Sequence, residues 1–223
     1  MSTELKIQQN KFEPRYPIVL SVLFVILLFV ILPERMSLFP HWFAYIIGTL
    51  LIIPILAVGI SHANPVWLKI EYYFVRVFIV IVGLANLLNL GVMTDLMIKQ
   101  SSEISGVQLL ASSIAYWVVN VFIFSILYWQ IDRGGPESRA NDLKCKPEWM
   151  FPQDSAPEEF VSENWRPVFV DYLYLGYSTA TAFSTTETTP MTSRAKILMM
   201  FESAISLITI LLVAARAINI LGN

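Results

Sequence analysis

The stretch that decides the fold runs from residue 167 to residue 192: Pro167-Val-Phe-Val-Asp171-Tyr-Leu-Tyr-Leu-Gly176-Tyr-Ser-Thr179-Ala-Thr181-Ala-Phe-Ser184-Thr-Thr-Glu187-Thr-Thr-Pro190-Met-Thr192. An aromatic, helix-like run from Phe169 to Tyr177 passes into a hydroxyl-rich stretch, Ser178 to Thr189, which Pro190 stops. Ser193 is placed to cap the helix that follows. The segment is too polar for an ordinary membrane span and too apolar for a surface loop. Irregular backbone at membrane depth is tolerated only where protein or a water-filled cavity surrounds it. The pattern therefore predicts a half-helix with a polar return, a re-entrant loop.

Its surroundings explain why a membrane is in question at all. Of 223 residues 56% are apolar and 14% charged, the mean hydropathy is +0.61, and the apolar residues fall in long blocks. Soluble domains carry about 25% charged residues, so a cytosolic globular protein and a disordered chain are both excluded. A net charge of −2 offers no basic face for a nucleic acid. One cysteine, Cys145, excludes a disulfide framework and a thiolate metal cluster, and no cofactor is expected. The expectation is an all-α polytopic membrane protein.

Spans are predicted at Pro17–Leu32, Trp42–Ile60, Tyr72–Met97, Val107–Ile131 and Ala195–Leu221. The first meets no small-residue cleavage pattern before Pro33-Glu34-Arg35, so it reads as a retained helix and not as a signal peptide. Pro65 favours a helix start ahead of the third. Three regions follow: a four-helix membrane region, 1–131; a polar loop, 132–166; and the hairpin with the final helix, 167–223. Trp149, Met150, Phe151, Phe160 and Trp165 give the loop apolar anchors, which predicts order there.

Leu173 to Arg216 resembles the pore hairpin of the potassium-channel superfamily. Leu173-Tyr174 and Thr179-x-Thr181 match its pore helix, Glu187 the acid after the filter, Pro190-x-Thr192 the exit turn, and Glu202 a frequent inner-helix acid. Ala195-Lys196 replaces the usual Gly-Arg. The filter itself departs: Ala182-Phe183-Ser184-Thr185-Thr186 stands where the family has Thr-Val-Gly-Tyr-Gly. That filter aims stacked carbonyls at the ion and needs glycines that accept positive φ. Ser184 and Thr186 do not supply them. The resemblance thus implies a degenerate pore hairpin, either a hydroxyl-lined path or a hairpin kept for structure.

A second resemblance covers more of the chain. Tyr128-Trp129-x-x-Asp132-x-Gly134-Gly135-Pro136, Phe151-Pro152-Gln153, Trp165-x-Pro167 and Asp171-Tyr-Leu-Tyr followed by Ala180-Thr-Ala-Phe-Ser184 are similar to a family of bacterial inner-membrane proteins. This implies a bacterial membrane location and, of itself, no particular activity.

Lys and Arg set the expected orientation. With the N-terminus inside, five spans and a loop returning to its own side, eleven basic residues lie inside and Arg35, Lys99 and Arg216 outside. A complete sixth crossing through Val168–Thr185 gives ten against four, and the channel orientation inverts the first count. An inside N-terminus is favoured, and the five- and six-crossing forms both stay open.

Among polar positions, Glu202 stands out, seven residues inside the final span. A charge at that depth costs about 2.5–3.5 kcal/mol on insertion scales and is expected to face a cavity or a partner. Ser203, Ser206 and Thr209 extend a hydroxyl stripe beside it, which close helix packing explains equally well. Arg76 is a candidate partner for Glu202, or an interfacial anchor that snorkels, with Glu71 beside it at the interface. Asn86, Asn89 and Asn120 are expected to make interhelical hydrogen bonds, and Asp171 a cap. Signatures of metalloproteases, serine hydrolases and P-loop enzymes are absent. Three functions remain: permeation of an ion or solute through a homo-oligomer, an accessory or assembly subunit of a membrane complex, and, weakest, a lipid-active enzyme.

Overall fold

Apolar runs this long leave the backbone no partner but itself, and the chain answers with helices. A computed structural model describes residues 13–32, 37–61, 64–98, 106–141, 145–157, 159–162, 165–181 and 187–221. The major elements are α1 (Tyr16–Ile31), α2 (His41–Ile60), α3 (Pro65–Ile98), α4 (Gly106–Ile131), α5 (Pro136–Ala140), β1 (Trp149–Met150), α6 (Phe169–Thr181), β2 (Thr189–Pro190) and α7 (Ser193–Leu221). Four of them, α2, α3, α4 and α7, are long and apolar enough to cross a membrane. α1 has 16 residues, about 24 Å of helix against a hydrocarbon core of about 30 Å.

The sequence signals at the helix ends are mostly where they act. α3 opens on Pro65, and Asn64 Oδ1 accepts the Val66 N–H at 2.9 Å. Asp171 Oδ2 accepts the Val168 N–H at 2.7 Å and so caps α6, as expected. The cap of α7 lies one residue earlier than expected. Thr192 Oγ1, not Ser193, accepts the Ala195 N–H, at 3.1 Å.

α4 is the hub, packed against α6, α7, α3 and α1. Its core partners include Val22 and Val25 of α1, Phe78 and Val82 of α3, and Tyr172 and Leu175 of α6, all buried. α4 ends in a sharp turn: Arg133 has φ 51°, Gly134 φ 77° and Gly135 φ 96°. Only glycine takes the last of these readily. That turn reverses the chain into α5, which is why Gly134-Gly135-Pro136 closes the span.

The polar loop folds back onto the end of α4. Trp149 and Phe151 are buried, whereas Phe160 is 76% exposed and anchors nothing. β1 pairs antiparallel with β2, Trp149 opposite Pro190 and Met150 opposite Thr189. Trp149 N–H also points to Asp132 Oδ1 at 3.3 Å, and Tyr172 O–H donates to Asp132 Oδ2 at 2.6 Å. The start of α6, the strand after it and the end of α4 therefore share one end of the bundle. From there α6 runs antiparallel to α4, with Gly176 against Val121 and Ser125, and Ala180 against Trp117.

Candidate functional site

A buried carboxyl, Glu202, lies between α4, α6 and α7. α7 runs antiparallel to α4, so Glu202 meets Tyr128 and, one turn on, Ser206 meets Asn120. Glu202 is fully buried, and Tyr128 O–H donates to its Oε2 at 2.5 Å. Its other oxygen, Oε1, has no hydrogen-bond partner, nor has the buried Thr179 Oγ1. Asn120 Nδ2 donates to Ser206 Oγ at 2.9 Å and to the Glu202 carbonyl at 3.3 Å. Thr209 spends its hydroxyl on the Ile205 carbonyl of its own helix.

The C-terminal end of α6 finds its partners on its neighbours. Its last carbonyls have no partner within the helix. Ser203 Oγ donates to the Thr179 carbonyl at 3.1 Å, and Trp117 Nε1 to the Ala180 carbonyl at 3.4 Å. The hydroxyl of Ser203 thus serves the end of α6, a role its place in a serine–threonine stripe did not indicate. Gly176 allows the close approach. A methyl there would stand 2.4 Å from Ser125 Oγ, 3.1 Å from the Val121 carbonyl and 3.3 Å from Glu202 Oε1.

Arg76 does not pair with Glu202. It lies exposed on α3 with its guanidinium 3.8 Å from the centre of the Tyr72 ring. Among the described residues no cation reaches Glu202; the one hydrogen bond to its carboxyl comes from a phenol. Thr181 is half-buried, Glu187 is exposed in the turn before β2, and Ala182, Phe183, Ser184, Thr185 and Thr186 lie outside the described residues. Asn86 and Asn120 make the expected interhelical bonds, Asn86 Nδ2 reaching the Tyr116 carbonyl at 3.4 Å, whereas Asn89 Oδ1 accepts the N–H of Leu38, in the loop before α2, at 2.9 Å.

A second polar cluster, which the sequence reading did not assemble, ties the Asp132 end together. Arg15 Nε donates to Glu71 Oε1 at 2.8 Å with both side chains 4% exposed, and Arg15 also reaches Glu137. Burial opposes the charge on Arg15, but Glu71 and then Glu137 outweigh it and raise its pKa. Glu71 is therefore a buried ion-pair partner, not a free interfacial carboxylate. Arg139 donates to the Trp129 and Asp132 carbonyls at 2.7 and 2.9 Å and to Glu13 at 3.0 Å, while its guanidinium sits 5.0 Å from the Tyr172 ring centre. Several residues of the second resemblance converge here. Phe151 packs on Tyr172 and Trp165, and Trp129 on Phe169. Nothing short of the folded chain brings Glu13, Glu71 and Glu137 to one place.

Among the described residues no three His, Cys, Asp or Glu side chains gather to hold a metal. Fold and site together define a mostly helical membrane protein with a polar seam inside its α4–α6–α7 packing. No family model, no curated protein and no solved structure matches the chain.

Proposed function

We propose that the chain is a polytopic protein of the bacterial inner membrane, crossing with α1–α4 and α7, in which α6 and its return to β2 form a re-entrant hairpin on the plan of a pore loop. Its role on this reading is permeation of an ion or small solute in a homo-oligomer, without covalent chemistry. The three regions 1–131, 132–166 and 167–223 then act as scaffold, cytoplasmic cover and permeation element, and the N-terminus is cytoplasmic. One observation carries the proposal. The start of α6 and the strand after it are fastened to the same residue, Asp132, directly and through Trp149. α6, with 13 residues, extends only about 20 Å from that end. A sixth crossing would leave β2 at the opposite end from β1.

The hairpin is tested by labelling Met191→Cys, exposed beside β2, in a Cys145→Ser background. Modification from the same side as native Cys145 is expected, and modification from the opposite side would mean a crossing. Function is tested by tracer flux in liposomes containing the purified chain. Flux without potassium selectivity is expected, because Ser184 and Thr186 stand at the filter glycines.

The accessory-subunit reading is favoured by a different observation. Only 17% of the apolar window of α7 is buried, leaving Ile197, Phe201, Ile208 and Leu211 outward. A chain that carries no flux alone and purifies only with a second membrane protein would establish it.

A further inference from the structure

Glu202 is enclosed by three helices, and among the described residues one donor and no cation reach its carboxyl. The titratable group facing it from α4 is Tyr128; α6 and α7 present none among the described residues. An ionised carboxylate offers about four acceptor sites, and here only Oε2 is served. A charge left in that state in a dry interior is strongly disfavoured, and such a group neutralises instead. The neutral acid fits the contacts. Oε2 as carbonyl oxygen accepts the Tyr128 hydrogen, and Oε1 carries the proton. The Ser125 hydroxyl, the Val121 carbonyl and Oε1 are the three atoms nearest the point where a methyl on Gly176 would stand.

We propose that Glu202, held by the Tyr128 hydroxyl and walled by Gly176 of α6, is an intramembrane proton-binding site. Binding adds one proton to a carboxylate oxygen, forms one O–H bond and moves no other electrons. A metal ion is the competing ligand, and space argues against it. Metal ions take several oxygen ligands around an open centre, while Glu202 lines neither of two apolar cavities in the bundle. One is bordered by Phe29, Phe39, Phe43 and Phe78, and the other by Phe24, Trp117, Val121, Leu173 and Tyr177. A proton needs no such room. The proposal stands on these contacts and not on whether the hairpin conducts. Glu202 is fully buried, and an ionisable group at that depth marks a proton or ion pathway more often than a structural contact.

The test is infrared spectroscopy of the purified full chain in lipid. At neutral pH the carbonyl stretch of a protonated carboxylic acid is expected, shifted in deuterium oxide. It should vanish in Glu202→Gln and move to higher frequency in Tyr128→Phe, which removes the hydrogen bond to the carbonyl oxygen. Should Glu202→Gln fail to fold, Tyr128→Phe decides alone, since it keeps the carboxyl. Absence of the band in the wild type, or a band that neither variant moves, overturns the proposal. Loss of the band on adding sodium at constant pH also overturns it, in favour of a cation site.

Discussion

The Tyr172 hydroxyl donates to Asp132 Oδ2 at 2.6 Å, and both residues are fully buried. This one bond joins the end of α4 to the start of α6 beside it. The other oxygen of Asp132 accepts the Glu148 N–H at 2.7 Å and reaches Trp149 N–H. A single carboxylate thereby positions α6, β1 and, through β1, the strand before α7. Asp132→Ala strands these donors and should cost roughly 3 kcal/mol, read as a lower unfolding temperature in detergent. Tyr172→Phe removes one donor only and should cost about 1 kcal/mol. Equal losses from the two variants would show that the loop contacts of Asp132 contribute nothing.

Arg15 and Glu71 form the most buried ion pair described. Removing either partner leaves a buried charge exposed to no water, and the expected cost is roughly 3–5 kcal/mol. Arg15→Met should therefore destabilise strongly, and adding Glu71→Met should recover part of the loss, because an apolar pair replaces the ion pair. Thermal unfolding of the three variants checks this. A double variant as unstable as the sum of the singles would mean the two residues do not act on each other.

Gly176 tests the packing of α6 directly. Gly176→Ala places a methyl 2.4 Å from Ser125 Oγ, and overpacking of this kind typically costs about 1–3 kcal/mol. Ser125→Ala removes the clashing hydroxyl, so the double variant should regain much of the stability lost. An alanine at 176 with wild-type stability would mean α6 sits farther from α4 than described.

The helices were legible because apolar length, Pro65 and the Gly134-Gly135-Pro136 turn act locally, and the predicted spans fall within a few residues of α1, α2, α4 and α7. α3 begins at Pro65, seven residues before the predicted span, because its first turns lie in the polar zone where Glu71 meets Arg15. The prominence of Glu202 was also legible, since depth in an apolar run is a property of the sequence. Its partner was not. Arg76 offered the obvious charge, but which residue faces Glu202 depends on how α4 is rotated against α7, and that rotation brings Tyr128. The Arg15 cluster was invisible for the same reason, its members being up to 126 residues apart. Ser203 looked like part of a stripe and serves instead as a partner for the end of α6.

Orientation is the remaining question that a single residue can decide. Arg15, Arg133, Arg139, Arg166 and Arg194 all lie at the Asp132 end or on the segments tied to it. The basic residues Arg35 and Lys99 follow α1 and α3, whose far ends lie at the other end of the bundle. The positive-inside rule then predicts a cytoplasmic Asp132 end. Cys145 is the one thiol in the chain, and it is exposed there, with Ser138 Oγ donating to its sulfur at 3.2 Å. An impermeant maleimide should therefore leave intact cells unlabelled and modify Cys145 once the membrane is permeabilised. Labelling of intact cells would turn the whole arrangement over. The hairpin would then open to the outside, as it does in the potassium-channel superfamily, and the eleven-to-three distribution of basic residues would run against the rule instead of with it.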